Sequence, residues 1–389
     1  MDSSDWANLP EDLLVPILER LPSALDYVRF SIVCRSWNSI AKKLLSKRSR
    51  LTGHPLLLTY TGKEETWNLC DVRNDKVFDL QLELPNKRFC GFSKGWLITM
   101  DEDFVVTLIN PLSKVKGRKT KENSIIRLPA LELLKADEKF RAKWTKFCDY
   151  YVVKATLSAD PISNSKDCVV VVIHEDIRKM AFIRLEKDTS WTYIKEGVQD
   201  MEDVVYVKNK LYTVDVFDQL HYFAATTEPE SFDISNITRS FKQQGMIKKY
   251  LVEVSGYKEP LMVKRYMYFE PDRGYNLIGR RMTQKFEVFR FDADGYKWTE
   301  INSIGDVALF VGDATTSVLA SDFSGYLPNC IYFVHDWDRH RYHHGSRGPR
   351  NFGVYNISIK GFLKTGTTAA SLMRMSNRTP IWITANIEL

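Results

Sequence analysis

The sequence predicts a mainly β protein with a small α module in front, residues 1–50 forming the helical module and residues 51–389 one large β-propeller. Two changes along the chain lead there. Apolar residues recur at helical steps of three and four until about residue 45, after which short β-rich runs separated by polar turns take over. With 389 residues and 44% hydrophobic composition, the chain can bury a small module and one large core. The even spacing of short strands argues for an antiparallel all-β domain, and the strands are too many for a single sandwich, which argues for repeated four-stranded blades, six or seven in number.

In the first segment Asn8 suits a helix cap, Pro10 its first turn, and Glu11 and Asp12 its dipole. Leu14, Leu18 and Leu21 repeat at helical spacing, with Leu13 and Ile17 beside them. Pro22 punctuates, Asp26 can begin a second helical stretch, and Phe30, Val33, Trp37, Ile40 and Leu44 continue the pattern. Two or three short amphipathic helices are expected. Between residues 9 and 45, 20 of 37 positions are apolar, more than so short a unit can bury by itself, so part of that surface must be covered by something else. Charge is segregated too: residues 1–27 hold six acids against Arg20 alone, and residues 28–50 hold seven Lys or Arg and no acid. Pro16 sits inside the first helical run, so either the helix starts late or it is kinked.

From Leu56 onward the β-rich runs include Leu56–Tyr60, Lys76–Leu82, Trp96–Met100, Cys168–Ile173, Leu211–Val216, Phe286–Phe291, Lys297–Ile301, Val307–Val311 and Cys330–His335. Lys208-Asn209-Lys210 and Asp292-Ala293-Asp294-Gly295 read as tight turns, and Gly305-Asp306 and Gly312-Asp313 resemble turn positions of a known domain family, where glycine permits positive φ. Residues 181–197 and 288–304 repeat weakly at a constant offset of 107, pairing Phe182 with Phe289 and Trp191 with Trp298. That offset is about two blades, and each tryptophan reads as packing between blades. Leu131–Phe140 is the one helix expected in the β domain, and segments 114–165 and 225–285 have room for insertions.

The stretch from Asn8 to Ala41 resembles an F-box. The matching residues are Leu9-Pro10, Asp12-Leu13-Leu14, Ile17-Leu18, Leu21-Pro22, Asp26, Arg29-Phe30, Val33-Cys34-Arg35, Trp37 and Ile40, in order and in register. Segments 95–113, 286–313, 329–337, 351–357 and 379–384 are similar to the plant-specific, kelch-like domain of unknown function that follows many F-boxes. The resemblance implies a three-helix F-box over residues 1–50 and a kelch-like β-propeller for target recognition over residues 51–389. It also implies a substrate-recognition subunit of an SCF-type ubiquitin ligase in a plant. Leu9, Pro10, Leu13, Leu14, Ile17, Leu18, Val33, Cys34 and Trp37 would make or support the interface with a Skp-type adaptor, which bridges to cullin and RING subunits. The propeller would hold an unidentified target protein. The alternative is a non-ligase scaffold or sequestering protein with a degenerate F-box.

Other chemistry finds little purchase. The net charge of +6 reads as mild and spread out, which disfavours a nucleic-acid partner. His335, His340, His343 and His344 lie together, but their spacing fits no standard zinc site and Arg339, Arg341 and Arg347 would repel a cation, so no metal is assigned. No nucleophile elbow, phosphate loop or metalloprotease motif is present, so no catalytic residue and no cofactor is assigned either. Six cysteines without a C-x-x-C pair suggest reduced thiols. An acidic start and the lack of a long apolar run point to the nucleus or cytoplasm rather than export or a membrane.

Overall fold

A computed structural model describes residues 6–21, 30–31, 33–45, 52–60, 66–73, 75–114, 123–132, 138–175, 177–194, 200–224, 246–270, 280–336, 351–364 and 378–386. The chain divides into two compact units. One is Met1–Leu56 with Ile383–Leu389, and the other is Leu57–Trp382.

The helical unit opens with a 3-10 turn, Trp6–Asn8, then helix α1 (Glu11–Glu19) and helix α2 (Arg35–Leu45). Pro10, not Asn8, is the N-cap of α1, and its carbonyl accepts the N–H groups of Leu13 and Leu14. Glu11 and Asp12 occupy the first turn, where acids complement the helix dipole. The helix does not start late: Pro16 lies inside it, and lacking an N–H it leaves the Asp12 carbonyl without the usual i+4 donor. The expected second stretch from Asp26 falls largely on residues 22–29, outside the described residues.

The β unit is built from six sheets. The first holds β1 (Thr52–Tyr60), β2 (Trp67–Asp71) and β3 (Lys76–Leu82). The second holds β4 (Phe89–Ser93), β5 (Trp96–Met100), β6 (Val105–Ile109) and β7 (Ile125–Ala130), after which comes helix α3 (Glu138–Lys146). The third holds β8 (Val152–Leu157), β9 (Val169–His174), β10 (Lys179–Arg184) and β11 (Thr192–Tyr193); the fourth β12 (Met201–Val207), β13 (Lys210–Asp215) and β14 (Leu220–Ala224). The fifth holds β15 (Met246–Val252), β16 (Leu261–Glu270), β17 (Arg280–Asp292) and β18 (Lys297–Ile301). The sixth holds β19 (Val307–Val311), β20 (Thr316–Leu319), β21 (Cys330–Phe333), β22 (Gly353–Asn356) and β23 (Gly361–Leu363). Strand β24 (Ile381–Asn386) returns to the first sheet, whose order is β24-β1-β2-β3.

Side-chain packing shows how the sheets succeed one another. One core joins the second, third and fourth sheets through Ile98, Val172 and Val204. Leu251 and Val214 join the fourth and fifth, Val263 and Leu309 the fifth and sixth, and Phe310 and Leu57 the sixth and first. Trp67 against Phe89, with ring centroids 5.0 Å apart, joins the first and second. The domain is a six-bladed propeller, and the chain is mainly β with few helices. Tryptophan indoles recur as ties to backbone outside their own strands: Trp191 Nε1 donates to the Pro129 carbonyl at 2.7 Å and Trp298 Nε1 to that of Asp218 at 2.8 Å. In both cases the acceptor belongs to the preceding blade. Each member of the sequence repeat begins within the third strand of a blade and contains the whole of its fourth, and one blade separates them, in keeping with the offset of 107 residues.

Several expectations need correcting. Strands β4, β7, β8, β20 and β23 carry too weak a pattern to have been anticipated. Cys90-Gly91 interrupts β4, Pro129 sits in β7, and Lys154 and Thr156 stand in β8. Helix α3 shares only Glu138–Phe140 with the expected Leu131–Phe140 and runs on to Lys146, because Phe140 and Trp144, one turn apart, supply its packed side; Leu131 is buried outside the helix with its N–H on the Phe104 carbonyl, and residues 133–137 lie outside the described residues. The ladders are not all antiparallel, since β19 and β21 run parallel. Gly305 does adopt positive φ, but Gly312 does not: there a Cβ would sit 2.8 Å from Val334 Cγ2, so close packing selects glycine.

Candidate docking face of the helical unit

Burial divides the residues singled out in the helical unit into two groups. Leu14 and Leu18 are fully buried, together with Phe30, Ile40 and Ala41. They are one turn apart on α1, so one stripe of that helix forms the small core with α2. Leu13, Ile17 and Val33 remain 52%, 39% and 52% exposed, and Pro10 is also exposed. Leu9, Cys34 and Trp37 are half-buried. The Trp37 ring packs against Phe30 with centroids 4.4 Å apart, and its Nε1 donates to the Trp6 carbonyl at 3.0 Å. That bond holds the 3-10 turn against α2 and leaves the Trp6 side chain 60% exposed.

Trp6 is the member of this surface that the sequence reading passed over. Its signal was a large aromatic in an otherwise small and acidic stretch, three residues ahead of Leu9-Pro10. Four large apolar side chains thus stand open on a unit with only a small core. Isolated exposed apolar residues are ordinary, whereas Leu13 and Ile17 one turn apart on one helix form the start of a patch. The ion pair of Lys43 with Glu11 at 2.6 Å links α2 to α1, but both side chains are well exposed, so it contributes little to stability.

The propeller carries its polar groups differently. Arg88 and Asp313 form a two-pronged buried pair at 2.8 and 3.0 Å, and the same guanidinium donates to the carbonyls of Val152 and Val153. Burial pushes the Asp203 carboxyl above its usual range, opposed by Lys154 Nζ at 3.0 Å and the Leu251 N–H at 2.7 Å. Asp336 is buried, accepting from Tyr250 Oη at 2.5 Å and pairing with Lys248 at 2.6 Å. His335 is buried beside it, and the remaining histidines of that stretch lie outside the described residues. All of these groups sit between blades and serve to hold neighbouring sheets together.

A helical unit with an open apolar stripe, joined to a six-bladed propeller, defines a protein of the F-box class with a propeller-like C-terminal domain. The F-box-like family model matches residues 6–51, and the KIB1-4 beta-propeller model matches residues 69–356. The chain belongs to the KIB1-4 beta-propeller family. Among curated proteins it is similar to an Arabidopsis thaliana F-box protein, 24% identical over 377 residues that make up 94% of each chain. It is also similar to F-box protein SKIP23 of the same plant, 26% identical over 351 residues, covering 84% of this chain and 82% of that one.

Proposed function

We propose that this chain is the substrate-recognition subunit of an SCF-type ubiquitin ligase. On this reading the helical unit is a three-helix F-box over residues 1–50, and residues 51–389 form a kelch-like propeller that binds the protein to be ubiquitinated. A Skp-type adaptor covers Leu13, Ile17, Val33 and Trp6, with Leu9, Pro10, Cys34 and Trp37 at the margin. Leu14 and Leu18 hold that face in shape from beneath. Cullin and RING subunits follow through the adaptor. The chain contributes no catalytic residue. It acts by tethering, which raises the concentration of target lysines near the charged thioester. The six free cysteines support a reducing setting, nucleus or cytoplasm.

The open apolar side chains on α1 carry this reading, because burying the remaining exposed half of each against a partner releases roughly half of the about 1.5–3 kcal/mol that full burial of such a side chain gives. Leu13→Ala with Ile17→Ala is the cleaner test than changes at Leu14 or Leu18, since removing the buried pair would unfold the unit. The double variant, co-expressed with adaptor and cullin, is expected to lose co-elution on gel filtration, with adaptor affinity down by about tenfold or more. Adaptor recovery equal to wild type would sink the assignment. One observation favours a second reading, a sequestering protein outside any ligase: Pro16 weakens the helix that presents the face. The same gel-filtration profile separates the two, because a degenerate F-box would leave the wild-type chain eluting without adaptor.

A further inference from the structure

Residues 131–151 connect β7 to β8 with 21 residues, where β3 reaches β4 in six and β18 reaches β19 in five. This longer connection contains α3, whose sequence EKFRAKWTK carries four cations and one acid. Phe140, Trp144 and Phe147 recur at i, i+4 and i+7, and the helix is fixed by the fully buried Trp144, whose ring meets Tyr151 at 5.2 Å. Lys139, Lys143 and Lys146 repeat the same spacing one position earlier, so they form a single stripe beside the anchored side, and Arg141 lies on the opposite flank.

We infer that this lysine stripe is a docking surface for an acidic polypeptide segment of the target. Three observations converge. Lys139, Arg141 and Lys146 are exposed, and no carboxylate among the described residues pairs with them, whereas Lys87, Arg127, Arg184 and Lys285 each have an acid partner. Lys139 and Lys143 stand at i, i+4, where like charges destabilise a helix by a few tenths of a kcal/mol, a cost that Lys143 and Lys146 partly offset by complementing the dipole in the last turn. The cations are also pre-positioned: Lys143 Nζ lies 4.7 Å from the Trp144 ring centroid and Lys146 Nζ 5.5 Å from that of Phe147. The surrounding sequence points the same way. Residues 114–146 hold eleven Lys or Arg against four Asp or Glu, a net +7 in a chain of net +6, so the charge is concentrated here and not spread evenly.

The partner class follows from scale. The stripe spans about 10 Å, the reach of about three to four extended residues, which suits a short acidic segment. Four cations are fewer than the six to ten phosphate contacts typical of a DNA-binding surface. A membrane-seated helix would need an outward apolar side, and here that side is used up inside the fold.

This inference rests on the target-receptor reading, but its test is separate from the adaptor test. The full chain is titrated with a fluorescein-labelled poly-glutamate peptide at low and at physiological salt. The triple variant K139E/K143E/K146E is compared with K166E/K187E/K297E, which makes the same charge change at exposed lysines elsewhere on the propeller. Binding by wild type and by the control, with a loss of about tenfold or more confined to the α3 variant, supports the inference. Equal losses in both variants, or peptide binding untouched by the α3 changes, overturn it. Tighter capture of duplex DNA or of phosphatidylserine vesicles than of the peptide, through the same lysines, overturns the polypeptide assignment. K139R/K143R/K146R retains the charge and is expected to bind as wild type, and loss of binding in that variant would also count against the inference. Adaptor co-elution, measured on the same samples, reports on the helical unit and not on α3.

Discussion

His174 ends strand β9 fully buried between the rings of Tyr151 and Tyr193, with neither ring nitrogen hydrogen-bonded. Burial, reinforced by the nearby Lys179 charge, pushes its pKa down from 6.5 to about 3. A histidine depressed in the folded state contributes stability that is complete above the unfolded-state value and is lost as pH falls from about 6.5 towards about 3. The loss is expected to reach about 2 kcal/mol near pH 5. His174→Phe should flatten that dependence, as read by melting temperature at pH 7.5 and at pH 5. An unchanged acid sensitivity would place its origin elsewhere. The nearest carboxylate, Glu175 at 3.8 Å from Nδ1, is engaged by the Tyr151 hydroxyl and by Lys179, so it is a poor counter-ion for a newly protonated ring.

At the scale of elements, helix α1 combines a favourable start with an unfavourable middle. Its acidic first turn helps it, and Pro16 costs up to about 3 kcal/mol relative to a regular interior residue. Pro16 is exposed, so Pro16→Ala sacrifices no packing. It is expected to raise the melting temperature of the helical unit and, on the ligase reading, to tighten adaptor binding; a lower melting temperature would show that the proline is tuned to its turn. Strands differ in how openly the sequence declares them. Trp96–Met100, Lys76–Leu82, Lys297–Ile301 and Val307–Val311 coincide with the expected runs to the residue, because each is a compact β-rich block between turns. The turn at Lys208-Asn209 was equally legible, and both residues adopt positive φ as a two-residue hairpin turn requires. Strand β8 was not legible, because the reason Lys154 can be buried is Asp203, 49 residues away. The open face of α1 could be foreseen as an apolar surplus, but which leucines turn inward depends on contacts with α2.

For the whole molecule, the Arg88–Asp313 pair has the widest reach. Arg88 precedes β4, Asp313 follows β19, and the carbonyls of Val152 and Val153 belong to β8, so one guanidinium joins the second, third and sixth blades. Arg378 adds a second tie, bonding Asn86 and Asp149 just before β24. Removing one partner of a buried pair leaves the other charge stranded, at about 3–5 kcal/mol. Asp313→Ala is therefore expected to lower the unfolding free energy of the propeller, read by urea titration, by that much, while Asp313→Ala with Arg88→Met should recover part of it. No recovery would mean that the carbonyl contacts, not the carboxylate, dominate.

The strand order β24-β1-β2-β3 also bears on how the protein is made. A ribosome finishes α2 at Leu45 but must polymerise through Asn386 before the first sheet has its last member. At 5–20 residues per second that interval is roughly 20–70 s. During it, the amino-terminal helices are already out of the exit tunnel while the ring is still unshut. On the ligase reading, the end that would meet the adaptor is thus ready for assembly well ahead of the end that would select cargo, and a nascent chain could be enrolled before it is able to choose.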